Sequence, residues 1–70
     1  MKNGIKAIRQ KMGMTQVEFA QMLDMTQPNI GHYEARDQTV PPDVAKRLIQ
    51  EAALRGFQIT FEDIYAPEGA

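Results

Sequence analysis

Few side chains in this 70-residue chain are suited to chemistry. There is one histidine, His32, and no cysteine. A lone imidazole holds no metal without partners, and neither an H-x-x-x-H pair nor a carboxylate cluster accompanies it. The lack of cysteine removes disulfides, thiolate metal sites and cysteine nucleophiles together, and it suits a reducing cytoplasm. No catalytic constellation is left, so an enzyme is not expected, nor is a cofactor. What remains is polar without being reactive. The stretch "MTQPNIGHYE" (25–34) holds the carboxamides Gln27 and Asn29 together with His32, and Pro28 and Gly31 lie among them. Taken by themselves, Gln27 and Asn29 are ordinary helix-start residues. The proline and the glycine are harder to explain. Both cost stability inside what otherwise reads as one short amphipathic helix.

The chain that must position these residues has room for one small domain. Its composition, 43% hydrophobic and 24% charged, is that of a folded globular chain rather than a disordered one. At this size roughly 60% of the unfolded surface is buried, so the core is adequate but small. No apolar run approaches the roughly 20 residues of a membrane span, and the N-terminus lacks the apolar block of a signal peptide. A cytoplasmic protein with no membrane partner is expected. The net charge of -1 taken alone argues against nucleic acid. Its distribution softens that objection. Lys2, Lys6, Arg9 and Lys11 crowd the first eleven residues, whereas the last fourteen carry Glu62, Asp63 and Glu68 and no base. A local field can attract phosphates although the total is near zero.

Hydrophobic spacing predicts four helices and a short fifth. In "GIKAIRQKMG" (4–13), Ile5, Ile8 and Met12 form one stripe, and Gly13 is a natural stop. In "MTQVEFAQMLD" (14–24), Thr15 and Glu18 match a capping box, and Phe19, Ala20 and Leu23 form the buried stripe. Only about three residues separate this helix from the next, which forces a steep crossing with Ala20 as the small residue at the contact. Asp24 must then accept positive φ, less comfortably than glycine. The third helix turns Ile30 and Tyr33 inward. Pro28 fits its first turn, where no N–H is needed. Either Thr26 or Gln27 caps it, since a residue before proline avoids the α region. Gly31 has no such excuse. It costs about 1 kcal/mol relative to alanine, and it lies off the Ile30/Tyr33 stripe on an exposed or partner-facing side.

"ARDQTVPP" (35–42) reads as a loop. In the helix 42–55, Val44, Leu48, Ile49 and Ala52 share one face, with Asp43 in the first turn, Arg55 in the last and Gly56 as the stop. "FQITFEDIY" (57–65) alternates as a strand does, yet Thr60 and Asp63 form a capping pattern and Ile59 can staple onto Ile64. An extended segment leading into a helix 61–65 is the favoured reading. Residues 1–66 then form the domain and 67–70 a loose tail. Met12, Met14, Met22 and Met25 are simplest as core fillers. Phe57, Ile59, Phe61, Ile64 and Tyr65 exceed what small helices easily cover, so part of that set is expected at a dimer seam.

Residues 15–34, "TQVEFAQMLDMTQPNIGHYE", resemble the helix-turn-helix of the phage-repressor and Cro family, whose usual pattern is T-Q-x-x-L-A-x-x-L-G-V-x-x-x-x-I-x-x-Y-E. Thr15, Gln16, Ala20, Leu23, Ile30, Tyr33 and Glu34 match outright, and Phe19 and Met25 replace aliphatic residues. The likeness covers about residues 4–55. It implies an all-α, compact four- to five-helix lambda-repressor-like domain, with a short C-terminal extended segment as an allowed addition. By the family's roles, the helix 26–34 enters the major groove and Gln27, Pro28, Asn29 and His32 face the bases. Amides pair two-point with adenine, an imidazole can donate to guanine, and Pro28 can touch a thymine methyl. Gln16 looks like the phosphate-contacting glutamine, with Thr26, Arg36, Lys11 and Thr39 as further backbone contacts. Arg9 and Glu34 correspond to a structural ion pair.

Two departures stand out. Asp24 replaces the turn glycine, and "EARDQT" replaces the family's E-N-G and basic loop, with Arg36 opposed by Asp37. The resemblance implies a Cro-like repressor of phage or bacterial origin. It would bind double-stranded operator DNA as a homodimer, formed in solution or only on DNA, with no small-molecule effector. Pro28 and Gly31 would then belong to the face meeting DNA, so that Gly31→Glu should weaken binding without harming the fold. The acidic pI keeps a second reading open, a protein-interaction module on the same scaffold such as an antitoxin or adaptor.

Overall fold

The computed structural model of the protein describes residues 3–36 and 38–65. The expected tail 67–70, the domain limit at 66, Lys2 and the Arg36–Asp37 opposition therefore lie, in whole or part, outside the described residues. Five helices follow one another: α1 (Ile5–Lys11), α2 (Gln16–Met22), α3 (Gln27–Arg36), α4 (Pro42–Leu54) and α5 (Phe61–Tyr65), with no strand among the described residues. The fold is all-α, and residues 57–60 link α4 to α5 without regular secondary structure.

The ends of these helices follow from local chemistry. Thr15 Oγ1 accepts the Glu18 N–H, and Glu18 Oε1 accepts the Thr15 N–H, a complete capping box that starts α2. Thr60 and Asp63 do the same for α5. Helices α1, α2 and α4 end in one construction. The N–H two residues beyond the C-cap reaches back to a carbonyl five residues earlier: Met14 to Arg9 (3.1 Å), Met25 to Ala20 (2.8 Å) and Phe57 to Ala52 (2.9 Å). The residue just beyond each C-cap takes a left-handed φ: Gly13 at 70°, Asp24 at 57° and Gly56 at 84°.

The core is one cluster. Ile5 and Ile8 of α1, Phe19, Ala20 and Met22 of α2 with the adjoining Leu23, Ile30 of α3, Val40 of the loop before α4, Ala45, Leu48 and Ala52 of α4, and Ile59 and Ile64 all lie within it. Met12, Met14 and Met25 pack against its edge. Burial of this kind contributes about 1.5–3 kcal/mol for each large side chain, so no single helix is independent of the others.

Several boundaries differ from the sequence expectation. α3 runs to Arg36, not 34, so the following loop loses Ala35 and Arg36; a basic residue in the last turn favours this extension. Its first residue is Gln27, and the Thr26 carbonyl accepts the Asn29 and Ile30 N–H groups, which places Thr26 rather than Gln27 just outside. Arg55 is the C-cap of α4 and not part of its last turn; there it holds Glu51 at 2.9 Å. The buried line of α4 is Ala45, Leu48 and Ala52, while Val44 and Ile49 flank it half-buried. The aromatic and aliphatic surplus at 57–65 divides. Ile59 and Ile64 are buried within the chain, but Phe61 remains 48% exposed.

Asn3 plays a part that no pattern announced. Its Oδ1 accepts the Ile5 N–H, and its Nδ2 donates to the carbonyls of Tyr33 and Gln38. The start of the chain thus straps the end of α3 and the loop beyond it. Tyr65 donates to the Val40 carbonyl at 2.6 Å and ties α5 to the same loop.

Candidate nucleic-acid interface

The site is built from the turn outward. Ala20 is 2% exposed and its carbonyl accepts the Met25 N–H. A larger side chain there would push α3 away from α2. With both helices held at this turn, α3 presents two unlike sides. Ile30 is fully buried, and Tyr33 and Glu34 are turned partly inward beside it. Pro28, His32 and Ala35, spaced by four and three residues, lie on the opposite side, and all three are exposed. Gln27 and Asn29 are exposed in the first turn.

A chain of polar contacts runs from α1 to the front of α3. Arg9 Nε donates to Glu34 Oε2 at 2.7 Å and Nη2 donates to Oε1 at 3.1 Å, while Nη1 donates to the Met14 carbonyl. Gln16 Nε2 donates to Glu34 Oε1 at 3.1 Å, and Gln27 Nε2 donates to Gln16 Oε1 at 2.6 Å. An ionised carboxylate only accepts, so Glu34 dictates which end of the Gln16 amide faces it. Gln16 then offers its oxygen to Gln27. The result leaves Gln27 Oε1 and one N–H for another molecule. Burial by itself would push the Glu34 carboxyl up; hydrogen bonds from Arg9 and Gln16, with the attraction of Arg9 and Lys6, more than offset this and hold it below the usual carboxylate value. Glu34 stays charged, and the orientation of the amides persists with it.

The structure thus brings Arg9, Glu34, Gln16 and Gln27 into one connected set. Thr26, Arg36 and Thr39 lie exposed around α3, at its start, its end and the loop beyond. Lys11 is placed differently. It lines a small cleft between α1 and α5 with Ala7, Ile8, Ile59 and Asp63. There it helps to hold the Asp63 carboxyl below its ordinary value, an effect led by the backbone and side-chain hydrogen bonds at Thr60. Two features escaped the sequence. Ala35 belongs to the exposed side of α3, hidden by the assumption that the helix ended before it. The Gln16–Gln27 bond joins residues eleven apart, and its only trace in the sequence was an amide at each position.

Among the described residues no group of three or more histidines or carboxylates could hold a metal ion. No helix among them is long and apolar enough to cross a membrane. A family model described as "Helix-turn-helix" matches residues 5–51, α1 through most of α4. No curated protein and no solved structure matches the chain.

Proposed function

This chain belongs to the Cro- and lambda-repressor-like helix-turn-helix family of DNA-binding regulators, and from that premise we propose that it is a Cro-like repressor of phage or bacterial origin. It acts in the cytoplasm as a homodimer on a pseudo-palindromic operator, without catalysis or an effector. The observation that carries this reading is the first turn of α3, where Gln27, Pro28 and Asn29 stand exposed beside an amide pair held in one orientation. Such pre-orientation lowers the entropy lost on binding. Gln27 and Asn29 read base edges through their amides, His32 reads a guanine acceptor or packs on a thymine methyl, and Pro28 meets a methyl. Gln16, Thr26, Arg36 and Thr39 grip phosphates, and Lys11 adds to the basic field.

One copy spans too few base pairs for useful affinity, so two copies one helical turn apart, about 34 Å, share the operator. Leu54, 79% exposed, and Phe61 at the α4–α5 end supply the apolar surface for the contact between copies. Repression follows from occupying DNA that polymerase needs.

Selection of bound sites from random duplexes, followed by titration of the winner at rising salt, tests the proposal. A two-fold symmetric site is expected, with log K falling steeply against log salt. No enriched sequence, with binding instead to a protein partner through the Leu54 and Phe61 surface, would establish the interaction-module reading.

A further inference from the structure

The glycine inside α3 has no role in the isolated fold. Its φ is not in the left-handed region, unlike those of Gly13 and Gly56. A Cβ placed on it would meet only Gln27 Nε2 at 3.7 Å and Gln16 Oε1 at 3.9 Å, ordinary contacts. Alanine therefore fits without strain and would strengthen the helix. Those two atoms are the donor and acceptor of the 2.6 Å bond that orients the Gln27 amide. The space beside the residue is the open flank of that pair.

We propose that Gly31 sets how closely DNA approaches the Gln16–Gln27 pair: its hydrogen leaves the pair and the α3 backbone uncovered, so that a sugar or phosphate group of the operator packs directly against them. This rests on the operator-binding reading. It adds that affinity is limited by side-chain size at position 31. A stability cost is thereby retained inside a helix for the sake of contact with a partner.

A neutral size series separates the effects. Wild type, Gly31→Ala and Gly31→Leu are compared for thermal midpoint and for affinity toward the selected operator and an unrelated duplex. For Gly31→Ala the midpoint should rise by about 4–8 °C, while operator affinity falls by about tenfold, equivalent to about 1.4 kcal/mol. Gly31→Leu should lose more operator affinity than Gly31→Ala, with helical content unchanged and binding to the unrelated duplex weakened in parallel, as a backbone contact requires. Wild type and both variants binding the operator equally would overturn the role of Gly31 while leaving the operator reading intact. Wild type binding no duplex at all would remove both.

Discussion

The two sides of α3 differ in kind. Inward, Glu34 holds two donors from Arg9 and one from Gln16, and Ile30 is sealed in the core. Outward, Pro28, His32 and Ala35 make no side-chain hydrogen bond to the rest of the protein among the described residues, and Gly31 beside them has no side chain at all. One ten-residue helix thus carries a side determined by the fold and a side to which the fold is indifferent. Stability and recognition have been assigned to opposite sides of the same rod. Truncating the buried Ile30 should therefore act mainly on stability, and truncating an exposed polar side chain of the first turn mainly on binding.

The comparison is tested most severely at the buried side. Ile30→Ala should cost about 2–5 kcal/mol through lost burial and a cavity, measured by chemical denaturation. In a domain this small that is a large share of total stability. A loss under about 0.5 kcal/mol would mean that α3 is not anchored by its core residue. On the exposed side, Asn29→Ala should shift stability by less than about 0.5 kcal/mol. The same change should weaken operator binding by about 1–3 kcal/mol and relax the preference at one base pair. Equal damage to folding and binding would erase the division.

The turn that joins the two helices offers a subtler probe. Gly13 and Gly56 take the left-handed conformation freely, but Asp24 takes it at φ 57° in an equivalent turn. Asp24→Gly should stabilise the fold by about 1 kcal/mol, read from the denaturation midpoint. DNA binding should not change, since the angle between α2 and α3 is already set. The mildest test uses pH. The Glu34 carboxyl lies below its unfolded value in the native state, so its contribution to stability is complete above the unfolded carboxylate range, near about 4.3. It is lost as pH falls through the lower native value. The acid limb of a stability–pH curve should therefore flatten in Glu34→Gln, apart from the share due to Asp63, which shifts in the same direction.

Much of the architecture could be read before any coordinates. Thr15 with Glu18 and Thr60 with Asp63 announced two helix starts, because capping is a contest among neighbouring backbone and side-chain groups. Gly13, Asp24 and Gly56 announced stops for the same local reason. The helical spacing of Ile5 and Ile8, or of Phe19, Ala20 and Leu23, identified buried faces. At the end of α3, where the reading slipped, the competing interactions came from far along the chain. α3 continues through Ala35 and Arg36 while Asn3 holds the carbonyl of Tyr33, 30 positions away, and that of Gln38 beyond the helix, 35 away. In α4 the slip was local: Ala45 lies three residues before Leu48 and seven before Ala52, on the same helical stripe, and is buried with them.

Local chemistry along the chain settled where α2 and α5 begin, where α1, α2 and α4 turn off, which residues of α1 and α2 avoid water, and that no nucleophile or metal cluster is offered by cysteine or histidine. Those properties depend on neighbours within four or five positions. Tertiary structure alone decided that the Gln16 and Gln27 amides meet, that Glu34, paired with Arg9, fixes their orientation by accepting from Gln16, and that the space beside Gly31 opens onto that pair. Such contacts join residues eleven to twenty-five positions apart, and they exist only once packing at Ala20 has set one helix across the other.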